Sequence, residues 1–300
     1  MLAVIGPTAS GKSDVALAVA RALDHVELVA VDAMQVYRGM DIGTAKPTAA
    51  ERAEVPHRCL DLVRPSQEFT LADYQRAERA AERSVAERGA QAVLVGGTGL
   101  YLRAVLDGLE LPGQWPELRA QLEAEADGRL PVLRARLEAL DPAGAAKMEP
   151  TNARRIVRAL EVCEGSGRPF SSFGPGLDTY PPSPVVQIGL RWSRAALGAR
   201  IERRVGAMMA GGLLDEVRHL AQGPEPLSRT ARQALGYKEL LEHIEGRCDL
   251  ADAVAAIVTR TKQFAVRQDR WFRRDPRIRW IDMTTGTADA LPAVLRAVHA

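Results

Sequence analysis

Cysteine is scarce in this sequence, and its placement argues against two common ways of stabilising a chain. The three cysteines, Cys59, Cys163 and Cys248, lie far apart and are odd in number. They fit neither the spacing of a zinc site nor a disulfide framework. We therefore expect a protein of a reducing compartment.

Long hydrophobic runs are also missing. No stretch approaches the roughly eighteen uninterrupted apolar residues of a membrane helix, and Met1 to Ile5 pass straight into Gly6. No basic segment precedes this short apolar run, as a secretory signal would require. The sequence therefore predicts a cytoplasmic protein with no membrane partner.

Neither sign of charge dominates the chain. Its 40 lysines and arginines nearly balance its 38 aspartates and glutamates, so the formal net charge of +2 says little about partners. Apolar residues, in contrast, make up 46% of the sequence, which is enough for a sizeable core. At 300 residues, two domains or one core with a large insertion are the natural expectation.

Short apolar runs that end in Gly or Asp punctuate the first hundred residues and favour buried strands. They cover Leu2 to Ile5, Leu28 to Val31 and Ala92 to Val95. Helical spacing fills the gaps, in Lys12 to Leu23 and in Leu71 to Arg88. Thr70, with Asp73 three residues on, is predicted to cap the start of the second helix. Alternating strands and helices predict an α/β fold with a parallel sheet flanked by helices.

The amino-acid composition is different between about residue 110 and residue 184. Helical pieces rich in Ala, Leu, Glu and Arg are broken by prolines, and strand-like runs then return at Val185 to Leu190 and Ile278 to Ile281. We predict a core domain of residues 1–109 and 185–300, whose C-terminal helices bind RNA. Residues 110–184 are predicted to form a mostly helical insertion that could close over a site.

The most informative motif follows the first predicted strand and satisfies the pattern G-x-x-x-x-G-K-[ST]. Its glycines let the backbone wrap around a phosphate, so that N–H groups and a helix N-terminus face the charge. Lys12 adds a positive charge, and Ser13 can bind a Mg²⁺ that neutralises the same phosphates. The alternative is an ordinary Gly-rich turn. The predicted phosphate-binding loop comprises Gly6, Pro7, Thr8, Ala9, Ser10, Gly11, Lys12 and Ser13.

Two polar residues follow the next predicted strands. Asp32 ends the second strand, and Thr98 follows the third within Gly-Gly-Thr-Gly. Ligands of open parallel sheets gather at the carboxyl ends of the strands, so both residues are expected to face the phosphate-binding loop. Each also has a structural alternative, because Asp often caps a turn and Thr often supplies a turn hydroxyl.

Arginines share a helical face at two places in the sequence, once as a triplet and once as a pair. Arg154, Arg155 and Arg158 fall opposite an apolar face, and Arg200 and Arg204 lie four residues apart, which places their guanidinium groups side by side. The set at residues 154–158 could bind an anion or could simply form a solvated face.

The stretch from Arg260 to Arg279 contains eight lysines and arginines against two aspartates. Aromatic residues are interleaved with them, so the stretch could bind a phosphate backbone and stack bases. Alternatively, most of these aromatics belong to the core. The aromatic residues concerned are Phe264, Trp271, Phe272 and Trp280.

Several blocks together resemble the tRNA dimethylallyltransferase family, also called tRNA isopentenyltransferases, of the bacterial type. The block at residues 31–47, Val-Asp-Ala-Met-Gln-Val-Tyr-Arg-Gly-Met-Asp-Ile-Gly-Thr-Ala-Lys-Pro, is the most specific. The loop at 6–13 alone is shared by many kinases and ATPases. The other blocks are Gly-Gly-Thr-Gly-Leu-Tyr at 96–101, Gly-Tyr-Lys-Glu at 236–239 and Arg-Gln-Asp-Arg-Trp-Phe-Arg at 267–273.

The resemblance implies a P-loop NTPase-like parallel sheet with a helical insertion. It implies transfer of a dimethylallyl group from dimethylallyl pyrophosphate to N6 of the adenosine at position 37 of tRNA, with Mg²⁺ as cofactor, and we expect a monomer. Asp32 resembles the family's general base, Thr98 its pyrophosphate-side hydroxyl, and Arg204 the arginine that holds the leaving group. The implied tRNA contacts are Asp32, Ala33, Met34, Gln35, Thr98, Arg119, Arg154, Arg155, Ile156, Val157, Arg158, Gln233, Gly236, Tyr237 and Lys238.

The match is not complete, and two other functions stay open. Ala33 stands where the family often has serine, and residues 232–235 differ in detail, although neither departure removes a catalytic group. A small-molecule kinase would explain the phosphate-binding loop but not the block at 31–47. A tRNA-binding module without catalysis would not need Lys12, Ser13, Asp32 and Thr98 to be intact.

Overall fold

The computed structural model describes residues 1–174 and 176–299 and contains a six-stranded parallel sheet with the order β3-β2-β4-β1-β5-β6. The five predicted strands are confirmed to within two residues at each end. The sixth strand, β3, was not predicted from the sequence, because it is two residues long and contains no apolar run. The strands are β1 (Leu2–Ile5), β2 (Val26–Val31), β3 (His57–Arg58), β4 (Gln91–Gly96), β5 (Val186–Arg191) and β6 (Ile278–Asp282).

The chain divides into two compact units, Met1–Asp107 with Pro182–Ala300 and Gly108–Pro181. The first unit contains the sheet. Its helices are α1 (Lys12–Ala22), α2 (Ala49–Glu54), α3 (Leu71–Glu87), α4 (Gly99–Leu106), α9 (Arg194–Ala210), α10 (Leu213–Ala221), α11 (Arg229–Arg232), α12 (Tyr237–Ile244), α13 (Leu250–Phe272) and α14 (Thr287–His299).

The second unit is helical. Its core packs Leu122, Leu133, Leu137, Ile156 and Leu160 together. A closing movement of this segment over a site stays a prediction. Its helices are α5 (Pro116–Ala126), α6 (Leu130–Leu140), α7 (Pro142–Ala146) and α8 (Ala153–Ser166), followed by a short 3-10 helix, Phe170–Ser172.

Both faces of the sheet are covered, because successive side chains of a strand point to opposite sides. In β1, Ala3 and Ile5 join a core with α3, α9, α10, α12 and α13, whereas Leu2 and Val4 join a core with α1 and α14. A central strand must therefore be apolar throughout, which explains why it reads as an unbroken hydrophobic run. In the described parts of the chain, no helix combines the length and the apolar content needed to cross a membrane.

Helix α3 begins where the sequence predicts, at Thr70 and Asp73. The Thr70 N–H donates to Asp73 Oδ2 at 2.9 Å, and the Asp73 N–H donates to Thr70 Oγ1 at 3.1 Å. This reciprocal pair satisfies two N–H groups that have no acceptor within the first turn of a helix. The predicted capping interaction is confirmed.

An ionisable side chain of α3, Glu78, is enclosed by the fold. Glu78 is 2% exposed, and its Oε1 has no hydrogen-bond partner in the described part of the chain. Burial, with a smaller contribution from the charge of Glu82, raises the pKa of Glu78 from 4.5 to about 7. The ionised carboxylate is therefore unfavourable in the folded protein.

We expect Glu78→Gln to raise the free energy of unfolding by about 2 kcal/mol at about pH 8 and to leave it nearly unchanged at about pH 4. The folded pKa lies above the unfolded one, so the destabilisation by this charge is absent below the unfolded pKa. It grows as the pH rises through the folded value of about 7. Urea unfolding at both pH values measures the difference. Glu87→Gln, an exposed position on the same helix, is the control, and an equal gain at both pH values would contradict the prediction.

Candidate active site

The predicted phosphate-binding loop joins β1 to α1. Its backbone enters the left-handed region at Ala9 and Gly11, with φ of 61° and 85°. The first helical hydrogen bond runs from the Val15 N–H to the Gly11 carbonyl at 3.0 Å, so the N–H groups of Lys12 and Ser13 have no acceptor within the helix. Such a concave set of N–H groups at a helix N-terminus attracts an anion. The strand, loop and helix context expected for residues 6–13 is confirmed.

The carbonyl groups of this loop are bound from outside it. Arg200 Nε donates to the Ala9 carbonyl at 2.8 Å, and Trp192 Nε1 donates to the Ser10 carbonyl at 2.9 Å. The Arg200 guanidinium also lies 4.4 Å from the centre of the Trp192 ring. These contacts fix the orientation of two peptide groups. Trp192, which follows β5, was not identified from the sequence because nothing local marks its role.

Two cations, Lys12 and Arg204, lie close enough for the charge of Arg204 to act on Lys12. Burial and the charge of Arg204 lower the pKa of Lys12 from 10.5 to about 8, and burial lowers the pKa of Arg204. Arg204 makes no hydrogen bond or ion pair with residues 1–174 and 176–299. The negative charge of Asp32 raises the pKa of both cations, but it offsets the lowering only in part. A site with excess positive charge and free N–H groups is suited to bind an anion such as a pyrophosphate.

Asp32 and Thr98 lie together, as their positions after the neighbouring strands β2 and β4 predict. The Ala33 N–H donates to Thr98 Oγ1 at 3.4 Å. Asp32 Oδ1 accepts the N–H groups of Met34 at 2.8 Å and Gln35 at 3.3 Å, so this oxygen caps a turn. The other oxygen, Oδ2, has no hydrogen-bond partner among the described residues. One carboxylate thus combines a structural oxygen with an available one.

The segment after Asp32 is held by its own side chains. Gln35 Nε2 donates to the carbonyls of Thr44 and Ala45 at 3.0 and 3.2 Å. The buried Lys46 ammonium donates to the Tyr37 carbonyl at 2.5 Å and to Asp61 Oδ1 at 2.6 Å. The polar residues of the 31–47 block therefore serve first to fix the shape of this segment.

Glu216 of α10 anchors the middle of the same segment. Its carboxylate accepts the N–H groups of Asp41, Ile42 and Gly43 at 2.9, 2.8 and 3.2 Å. It also accepts the Tyr237 hydroxyl at 2.6 Å. This carboxylate was missed in the sequence, because its backbone partners are about 175 residues away along the chain.

The predicted contact of the Tyr237 side chain with tRNA needs correction. Its side chain is fully buried, and a Cβ at Gly43 would lie 2.5 Å from its ring. Burial, followed by the hydrogen bond to Glu216, raises the pKa of Tyr237. The side chain packs on the 41–43 backbone and has no exposed surface that a tRNA could contact.

One pocket of about 900 Å³ brings most of the predicted site together. It is lined entirely by the first unit. The loop at 6–13, the 32–35 turn, α9 and α13 all contribute, whereas Lys238 does not line it. Among the lining residues are Thr8, Lys12, Ser13, Asp32, Ala33, Met34, Gln35, Thr98, Arg204, Gln233, Gly236, Phe264 and Gln268.

The second unit contains the other predicted tRNA contacts, and two of them need correction. Ile156 and Val157 are 0% and 2% exposed and belong to the core of that unit, so their side chains cannot reach a ligand. They occupy the inward face of α8. Arg154 and Arg155 occupy its exposed face and stay candidates.

Two further arginines of the second unit bind the same buried carboxylate. Arg158 lies 2.8 Å and Arg119 lies 3.6 Å from the Glu161 carboxylate, which is 1% exposed. Arg158 Nη2 also donates to the carbonyls of Pro112 and Gly113 at 3.1 and 2.9 Å. These guanidinium groups therefore have structural partners before any RNA is bound.

The basic C-terminal stretch is less available for binding a phosphate backbone than its number of lysines and arginines suggests. Arg260, Lys262, Arg273 and Arg277 form ion pairs with acidic residues of the first unit. The aromatics are mostly core residues, as the alternative held. Phe272 is buried, Trp271 lies against Gly99, Trp280 lies against Gly189, and Phe264 lines the pocket.

The fold is that of an α/β protein with a cationic loop at the N-terminus of a helix, an arrangement that suits a phosphorylated ligand. The sequence model of the IPP transferase family matches residues 35–275. The chain therefore belongs to the IPP transferase family.

Individual relatives agree with this assignment. A protein of Streptomyces avermitilis named tRNA dimethylallyltransferase is 48% identical over 294 residues, which cover 97% of this chain and 93% of that protein. The solved tRNA isopentenylpyrophosphate transferase of Bacillus halodurans is 35% identical, with a TM-score of 0.71 over 99% of this chain and 96% of that one. A eukaryotic dimethylallyltransferase solved acting on tRNA shares the fold, with a TM-score of 0.79 at 24% identity over 99% of this chain and 77% of that one.

We expect Glu216→Gln to release the 41–43 backbone and to lower the free energy of unfolding by about 2 kcal/mol. An amide accepts fewer hydrogen bonds than a carboxylate, and hydrogen bonds to a charged group contribute about 1.5–3 kcal/mol each. Hydrogen exchange of the Asp41, Ile42 and Gly43 amides measures the release directly. Asp215→Asn, an exposed neighbour on α10, is the control. Unchanged protection of the three amides would contradict the assigned role of Glu216.

Proposed function

We propose that the protein transfers a dimethylallyl group from dimethylallyl pyrophosphate to N6 of the adenosine at position 37 of tRNA. The products are pyrophosphate and N6-(dimethylallyl)adenosine. The observation that carries the proposal is the pocket in which a phosphate-binding loop, two crowded cations and an available carboxylate oxygen meet. Family membership and the names of the relatives support the choice of both substrates. The reaction takes place in the cytoplasm, and the protein acts as a monomer.

The cationic end of the pocket binds the leaving group. As the bond between the allylic carbon and oxygen breaks, negative charge grows on the departing pyrophosphate. Lys12, Arg204 and the N–H groups of the loop are in place before the reaction and stabilise that charge without reorganising. Burial and, second, the charge of Arg204 lower the pKa of Lys12 in the free protein, so a bound anion would stabilise the charged form of Lys12.

Asp32 is the proposed general base. The exocyclic amine of adenine is a weak nucleophile, and a proton must leave it as the new carbon–nitrogen bond forms. Asp32 Oδ2 accepts this proton, while Oδ1 keeps the 33–35 turn in place. Thr98, held beside the turn by the Ala33 N–H, contributes a hydroxyl on the pyrophosphate side. General base catalysis of this kind contributes about 10²- to 10⁴-fold in rate.

Mg²⁺ fits the oxygen donors of the pocket. The Ser13 hydroxyl lies exposed at the start of α1, where the motif predicts a metal ligand. The described residues contain no group of three or more His, Cys, Asp or Glu that could hold a metal. This agrees with Mg²⁺, which usually binds through one or two protein oxygens together with substrate phosphates. When bound, the ion would neutralise charge on the pyrophosphate.

The acceptor adenosine must leave its stack to reach this pocket, since a stacked base cannot expose its amine to Asp32. We propose that the 32–35 turn, Gln233 and Gly236 contact it, because all of them line the pocket. Arg119, Arg154, Arg155, Arg158 and Lys238 are proposed to contact the rest of the tRNA.

Label from dimethylallyl pyrophosphate is expected to appear in an unmodified tRNA that has adenosine at position 37, in the presence of Mg²⁺. A matched tRNA with guanosine at that position should remain unlabelled, because guanine lacks the N6 amine. Scintillation counting of precipitated tRNA measures the transfer. If neither tRNA is labelled while ATP consumption depends on a small molecule, the protein is a kinase.

Asp32→Asn is expected to lower the transfer rate by about 10²-fold or more and to retain tRNA binding. The amide oxygen can still cap the turn, so the change removes the base without removing its structural contact. Single-turnover kinetics and a filter-binding assay measure the two quantities. Asp24→Asn, an exposed position before β2, should match the wild-type protein. Undiminished transfer by Asp32→Asn would refute Asp32 as the base.

A further inference from the structure

Gln268 connects two loops that are distant in sequence. It lies on α13 and is 7% exposed. Its Oε1 accepts the Thr8 N–H at 2.9 Å, and its Nε2 donates to the Gly97 carbonyl at 2.7 Å. The amide orientation follows from these partners, because a backbone N–H requires an acceptor and a carbonyl requires a donor.

The two loops carry the groups proposed to act on the pyrophosphate. Thr8 belongs to the phosphate-binding loop, four residues before Lys12, and Gly97 immediately precedes Thr98. The loops approach so closely that a Cβ at Gly97 would lie 2.8 Å from Gln268 Nε2 and 3.3 Å from Lys12 Nζ. The Gln268 amide is therefore inserted at the point where the two catalytic loops meet.

We propose that Gln268 is a positioning residue, which sets the distance and orientation between the phosphate-binding loop and Thr98. The inference rests on the proposed function, because it assigns both loops to the pyrophosphate end of that reaction. It does not make Gln268 a catalytic residue, since both of its polar groups are occupied by backbone partners.

No common substitution reproduces both contacts. Glutamate keeps an acceptor for the Thr8 N–H but places a carboxylate against the Gly97 carbonyl, where a donor is required. Asparagine keeps both groups but is one methylene shorter. The helix is also fixed on the other side of Thr98, where Trp271 fills the space above Gly99. The backbone of α13 therefore cannot easily shift to restore a lost contact.

The test compares the wild-type protein with Gln268→Glu, Gln268→Asn and Gln263→Glu. Gln263 lies on the same helix with an exposed side chain, so it controls for the added charge. Steady-state kinetics give KM for dimethylallyl pyrophosphate, and filter binding gives Kd for tRNA. Titration calorimetry with inorganic pyrophosphate and Mg²⁺ gives a binding constant that does not depend on turnover.

We expect both Gln268 variants to weaken pyrophosphate affinity and to raise the donor KM by about tenfold or more, because small misplacements of catalytic groups are costly. The Kd for tRNA should stay within about twofold of wild type, as should all constants of Gln263→Glu. Thermal unfolding identifies a variant that fails to fold, and Gln268→Asn then carries the test in place of Gln268→Glu.

The inference is overturned if pyrophosphate affinity and donor KM of the folded Gln268 variants match the wild-type values. It is also overturned if donor and tRNA affinities fall equally, since that result describes a general loss of structure. Failure of the proposed function is a separate result: the wild-type protein and Gln263→Glu would then label no tRNA. Pyrophosphate calorimetry would still decide the role of Gln268.

Discussion

The site depends on the meeting of four strand ends at one edge of a parallel sheet. Strands β2, β4, β1 and β5 are consecutive neighbours, so the residues that follow them are brought together at a single edge. Asp32, Thr98, the phosphate-binding loop and Trp192 each follow one of these strands. The chemistry proposed for the pocket is possible only because hydrogen bonding between parallel strands fixes these four positions relative to one another.

The backbone carbonyl groups and the backbone N–H groups beside the pocket differ in their hydrogen bonding. Carbonyls of the phosphate-binding loop face Arg200 and Trp192, while the first N–H groups of α1 have no helical acceptor. Burial lowers the pKa of both Lys12 and Arg204, and the charge of Arg204 lowers that of Lys12 further. The proposed pyrophosphate group would relieve this unfavourable burial of positive charge. This is preorganisation in the sense that the donors need not move as charge develops.

A resemblance identifies segments more reliably than it identifies side chains. Within α8, Arg154 and Arg155 are exposed, whereas Ile156 and Val157 face the core, because a helix turns by about 100° per residue. Tyr237 lies in a segment that reaches the pocket, yet its ring packs on Gly43 and its hydroxyl binds Glu216. Family blocks therefore mix residues that are accessible to a ligand with residues that shape the backbone beside them.

The sequence alone determined the features that depend on neighbours in the chain. Apolar runs predicted five of the six strands, Thr70 and Asp73 predicted the start of α3, and the motif at residues 6–13 predicted a loop that leads from β1 into α1. All three signals arise from local periodicity and backbone preference. Only the tertiary structure decided the strand order and the roles of Trp192, Glu216 and Gln268, since the backbone groups that they bind lie 170 or more residues away in the chain. A contact over such a distance leaves no local pattern, because it exists only once the sheet has brought the strand ends together.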